Sequence, residues 1–142
     1  MLYEHEDLYK LIPQRDPIVM IDKMLDAADD VARTGLTVRA DCIFVDADES
    51  LTEPGLIEHI AQSASALLGH KALLAGQPLP VGYIGEVKKF HCYRCPVVGD
   101  ELTTTITLGP EVGGITIITG ETRCGDALLA DTQMKLYTEG KE

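Results

Sequence analysis

The chain has 142 residues, 45% of them apolar and 25% charged, and a formal net charge of -11. That length fits one hydrophobic core, so residues 1–142 are read as a single domain. The acidic balance argues against the phosphate-neutralising surface that nucleic-acid binding requires. No apolar run reaches the roughly 18 residues needed to span a bilayer, and the first residues, MLYEHEDLYKL, are acidic rather than basic as in a secretory signal. A cytoplasmic protein without a nucleic-acid or membrane partner is expected.

Taken in chain order, EHEDLYKLI (residues 4–12) reads as a short helix ended by Pro13. PIVMIDKMLDAADD and VARTGLTVRA follow as two strands joined by an Asp-rich turn, a hairpin with β-branched residues in its strands. The polar segment DCIFVDADESLTEPG delivers the chain to a long helix over residues 54–74, with Pro54 in its first turn and Thr52 or Ser50 as cap. Pro78 and Pro80 follow LAGQ and are expected to stop it. VGYIGEVKKFHCYR, DELTTTITLG, GGITIITGETRC and DALLADTQMKLYT are four further strands, punctuated by Gly, Pro and Asp. The order of elements predicts an α+β protein, one main helix against a mainly antiparallel sheet.

At about 100° per residue, Leu56, Ile57, Ile60, Ala61, Ala64, Leu67 and Leu68 form one stripe of that helix. Glu58, Gln62, Ser65 and Gly69 share the opposite side, where small residues let a strand or another subunit come close. A helix enclosed on most sides is therefore expected. The close cysteines of CYRC, Cys92 and Cys95, would point to opposite faces of a strand over residues 86–95, which disfavours both a shared metal and a disulfide. No metal site is expected from them, because zinc needs further ligands at suitable spacing.

LIPQRDPIVMIDKML resembles, through Leu11, Pro13, Arg15, Pro17 and Asp22, the opening motif of 3-hydroxyacyl-acyl-carrier-protein dehydratases. EHIAQSA is similar to that family's helix motif at Glu58, Ala61, Gln62 and Ala64, and FHCYRCPVVGDEL to its later strand and turn. Through TVRADCIFVDADE and GYIGEVKKF the chain resembles most the divergent branch associated with aryl-polyene and related pigment pathways. The resemblance implies a hotdog fold, a long central helix wrapped by a curved sheet, assembled as a homodimer or as a heteromer with another hotdog subunit. It implies an acyl thioester substrate on an acyl carrier protein, and no metal or organic cofactor.

The family removes water with a helix carboxylate and a histidine from the other subunit, one group taking the α-proton and the other protonating the departing hydroxyl. Glu58 matches the carboxylate, and Gln62, one turn on, would orient it or a bound water. The family histidine lies in the loop before the helix, and CIFVDADESLTEPG has none; the histidine of the opening motif is replaced by Gln14. His59 is a second catalytic candidate, although it points about 100° away from Glu58 around the helix. His91 is a weaker candidate at a tunnel wall, and His5 and His70 read as surface residues. The amides of Gly55 and Leu56 would polarise the thioester carbonyl, with Gln14 and Gly85 as further substrate contacts. Lys88, Lys89 and Arg94 form a basic cluster suited to docking an acidic carrier protein; Arg15 would do the same or pair with Asp16 or Asp22. Two other readings remain open: a hotdog thioesterase using Glu58 with Gln14 or Gln62, and a non-catalytic acyl-binding subunit that supports an active dehydratase.

Overall fold

The computed structural model describes residues 2–78 and 81–139, with the backbone alone described for residues 81–84, 138 and 139. The chain opens with a two-residue strand, β1 (Tyr3–Glu4), and a 3-10 helix, His5–Lys10. It continues through β2 (Lys23–Ala28), β3 (Val31–Thr37), α1 (Glu53–Leu74), β4 (Val81–Cys92), β5 (Glu101–Val112), β6 (Ile115–Cys124) and β7 (Ala127–Glu139). All seven strands join one sheet in the order β1-β2-β3-β5-β6-β7-β4, every neighbouring pair antiparallel. This is the expected α+β arrangement. No helix among the described residues is long and apolar enough to cross a membrane.

Alternation builds the inner face of the sheet. In β5, Leu102, Thr104, Ile106 and Leu108 are buried, while Glu101 and Thr107 are exposed. Helix α1 lies on this face over β3, β5 and β6. Its Leu56, Ile60 and Leu67 are fully buried, each contributing on the order of 1.5–3 kcal/mol by leaving water. The polar side is covered as well: Gln62, Ser63 and Gly69 are buried beside the apolar stripe, so the helix is enclosed on most sides, as its small residues predicted. At Gly69 the backbone of Leu11 crosses so near that an added Cβ would overlap the Leu11 carbonyl. Gly69→Ala should therefore lower stability by about 1–3 kcal/mol, because a backbone rather than a flexible side chain must move; a melt with unchanged midpoint would contradict this contact.

Both helix ends are defined by their capping. Thr52 is the N-cap, its Oγ1 accepting from the amide of Gly55 at 3.3 Å, with Pro54 in the first turn. At the other end Gly76 takes φ +68°, its amide donates to Leu73 O, and the amide of Gln77 donates to Ala72 O. This Schellman turn ends the helix, ahead of the expected proline stop. Pro78 comes only after it, and Pro80 lies outside the described residues.

Three other expectations are corrected. The helix over residues 4–12 is a 3-10 helix preceded by a strand pairing with β2. The first hairpin strand begins at Lys23 rather than Pro17, and residues 17–22 run as non-ladder backbone after a cis Asp16–Pro17 bond. Strand β4 ends at Cys92, so the chain has turned before Cys95, and the two Sγ atoms lie 3.7 Å apart instead of facing opposite ways.

Candidate active site

The non-ladder segment 17–22 is held by side chains of α1. Gln62 donates from Nε2 to the carbonyl of Ile18 at 2.7 Å and accepts at Oε1 from the amide of Met20 at 2.6 Å. Its second Nε2 hydrogen goes to Glu58 Oε2 at 2.7 Å. One buried amide therefore satisfies two backbone groups that no strand neighbour reaches and fixes one oxygen of a half-buried carboxylate. Among the described residues, Gln62 is the side chain hydrogen-bonded to Glu58.

His59 is fully buried, and both of its ring nitrogens are engaged. The Met20 carbonyl, 2.7 Å from Nδ1, can only accept, which places the proton on Nδ1. Nε2 of this neutral tautomer then accepts from Thr104 Oγ1 at 2.7 Å, and Thr104 in turn accepts from Thr122 at 2.7 Å. Burial, partly opposed by the bond to Met20 and by the nearby Asp22 charge, lowers the His59 pKa to about 4. A second buried chain lies beside the first: Ser63 Oγ donates to the His59 carbonyl at 2.8 Å and, having spent its hydrogen, accepts from Thr34 at 2.7 Å. The Met20 backbone is thus held at both of its polar groups, its N–H by Gln62 and its C=O by His59. Ring nitrogens so occupied offer nothing to a substrate.

The other histidines are also accounted for. His70 Nδ1 meets Tyr3 Oη at 3.0 Å, and twelve residues of helix, about 18 Å, separate it from Glu58. His91, on edge strand β4, contacts Asp131 at 3.0 Å and stacks on Tyr93. His5 is exposed.

Several expected substrate contacts look different in the fold. The Gly55 amide already donates to Thr52 Oγ1 and the Leu56 amide to Thr52 O, so these early-helix donors are spent on the cap rather than free to polarise a carbonyl. Gly55 is instead required for packing: a Cβ there would lie 2.7 Å from Phe44 Cβ. Gly85 sits at a bulge in β4, against the ring of Tyr137. Gln14 has a buried Oε1 with no hydrogen-bond partner. Arg15 pairs with neither Asp16 nor Asp22: its guanidinium donates to the carbonyls of Ile12, Gln14 and Tyr9 and lies 4.3 Å over the Tyr9 ring. Asp22 is taken by the Thr37 amide at 2.6 Å and Arg39 at 3.2 Å. Lys88, Lys89 and Arg94 are exposed, and no carboxylate pairs with them among the described residues.

Sequence reasoning missed the role of segment 17–22 and the cavity beside it. A pocket of about 260 Å³ opens between this segment and the end of β3, lined by Val19, Met20, Val38, Arg39, Cys42 and Leu51 among others. The signal for the segment was present in Gln62, a buried amide that needs backbone partners. Nothing in the sequence indicated which backbone it would hold.

A long helix wrapped by an antiparallel sheet defines a hotdog-fold protein, and its helix carries a carboxylate held by the amide one turn on. Over residues 6–141 the chain matches the ApeP-like family, ApeP dehydratase, and it belongs to that family. It is 30% identical over 134 residues to the 3-hydroxyacyl-[acyl-carrier-protein] dehydratase FabZ of Rhizobium etli, covering 90% of this chain and 84% of the relative. The FabZ of Allorhizobium ampelinum is 28% identical over 142 residues, covering 96% and 90% of the two chains. Among solved structures, a chain of the dehydratase heterocomplex ApeI:P from Xenorhabdus doucetiae superposes with a TM-score of 0.88 at 19% identity, covering 94% of this chain and 91% of that one.

Proposed function

We propose that this protein is a 3-hydroxyacyl-acyl-carrier-protein dehydratase subunit that works in a heteromer with a second hotdog chain, Glu58 supplying one of the two proton-transfer groups. In the reaction the Cα–H proton passes to a base, the Cβ–O bond breaks, and the hydroxyl leaves as water with a proton from an acid. The products are a 2,3-enoyl thioester and water. The observation that carries the reading is the pairing of an oriented, half-buried Glu58 with a His59 whose nitrogens are both consumed inside the fold. This chain offers one of the two groups, and a histidine from a partner subunit completes the pair.

The FabZ relatives support the substrate, and the similarity to a chain of the ApeI:P dehydratase heterocomplex supports the assembly. Lys88, Lys89 and Arg94 give a carrier protein a cationic landing strip on an otherwise acidic chain. A carrier-bound substrate supports a cytoplasmic location.

The test compares the purified chain alone with the chain mixed with a histidine-bearing hotdog dehydratase from the same organism, using 3-hydroxyacyl and saturated acyl carrier-protein thioesters and intact mass as readout. Loss of one water in the mixture, none with this chain alone, and a far slower loss in the mixture when this chain carries Glu58→Gln is the expected result. Water loss by this chain alone would overturn the heteromer. Release of free acid from either thioester would replace the reading by a thioesterase.

A further inference from the structure

The corrected position of Cys95 brings together a group of donors that dehydration does not use. Cys92 Sγ, Cys95 Sγ and a carboxylate oxygen of Glu53 all lie within 4.8 Å of one another. Both cysteines are free and partly buried, and Glu53 is exposed, so the group is reachable from solvent. Its framework is fixed on both sides. Glu53 is the first residue of α1, behind the Thr52 cap, and the Leu51 amide donates to Pro96 O, tying the helix start to the turn that carries Cys95. The Tyr93 amide donates to Leu129 O at 2.7 Å, holding the same turn from the sheet side.

The sulfur separation is informative. Two thiolates on one tetrahedral zinc ion, each about 2.3 Å from it, stand roughly 3.75 Å apart; the sulfurs here are 3.7 Å apart. A disulfide would need about 2.05 Å. We propose that Cys92, Cys95 and Glu53 form a binding site for a borderline-soft divalent cation of the zinc class, with a fourth position left to water or to a ligand from a partner subunit. Two thiolates and a carboxylate bring three negative charges to a doubly charged ion, far outweighing the roughly half positive charge of the helix N-terminus. Sulfur donors select against magnesium and calcium, which take oxygen. The expectation that Cys92 and Cys95 face opposite ways, which disfavoured a shared metal, rested on a strand running through residue 95, and the strand stops at Cys92.

The proposal is independent of the dehydratase reading, and its test needs no turnover. The full-length protein, reduced with a phosphine and stripped by a chelator, is titrated with Co²⁺ and then Zn²⁺. The expected result is one Co²⁺ per chain with thiolate-to-cobalt charge-transfer absorption, displaced by Zn²⁺. The band should vanish in Cys92→Ser and Cys95→Ser and persist in Cys124→Ser. Affinity should fall at least about 10-fold in Glu53→Gln, since even outer-shell losses cost that much. Zn²⁺ should also raise the melting temperature of the wild type and leave that of Cys92→Ser unchanged; circular dichroism of the variants in chelator verifies that each has folded. Absence of the charge-transfer band, its survival in either cysteine variant, or an unaltered affinity in Glu53→Gln overturns the site.

Discussion

Glu58→Gln is expected to lower dehydration by the heteromer about 10²- to 10⁴-fold, the range over which a positioned acid/base group contributes. The loss should fall on kcat with little change in KM, because the group acts on a proton in transit rather than on binding. The substitution is nearly isosteric, and its amide oxygen can still accept from Gln62 Nε2, the bond that orients the carboxylate at 2.7 Å. Stability should therefore change by less than about 1 kcal/mol, within the worth of one neutral-for-charged hydrogen bond. Steady-state rates and a thermal melt on the same preparation separate the two effects. Unchanged turnover in a folded complex would remove Glu58 from the chemistry and leave this chain as a supporting subunit.

Much of this site was legible because helix chemistry is local. Thr52, Pro54 and the EHIAQSA pattern fix where α1 starts, which residues share a face, and that Gln62 lies one turn from Glu58. The segment PIVMID was not legible in the same way. Its alternation of apolar residues suits a strand, but in the fold Ile18 O, Met20 N and Met20 O are satisfied by Gln62 and His59, and the ladder begins only at Lys23. A pattern of side chains says which residues are buried and not who pairs with their backbone. The same gap hid the surroundings of His59: TTTIT in β5 reads as β-branched strand composition, while the hydroxyl of Thr104 is what occupies the imidazole. Cys95 was misread because a three-residue difference in where a strand ends decides which way a side chain points. At the helix end, two prolines drew attention from Gly76, whose positive φ closes the last turn.

His59 should make the protein acid-sensitive in a window set by its own burial. Its folded pKa is lowered to about 4 from 6.5, chiefly because a charged imidazole in this fully buried position loses its hydration. Below the unfolded value the unfolded chain binds the proton more readily than the native one, so stability falls as the pH drops from 6.5 towards 4 and levels off beneath that. The shift corresponds to about 3 kcal/mol, a large part of the 5–15 kcal/mol typical of a domain. Hydrogen bonding does not rescue the charged form. Thr104 can rotate to accept from a protonated Nε2, but the cost is that of an ion without water, and the bond to Met20 offsets only part of it. Denaturant melts at pH 7 and pH 4 of the wild type and of His59→Gln check this: carboxylates contribute to both proteins, and the difference isolates the imidazole. The wild type should lose about 3 kcal/mol more than the variant across the window; equal losses would mean that His59 titrates normally and is not sealed. Because His59 holds the carbonyl of the same Met20 whose amide Gln62 holds, acid should loosen segment 17–22 and, through Gln62, the carboxylate of Glu58. Dehydration should then decline in step with loss of the fold on the acid side, and in His59→Gln that part of the decline should disappear.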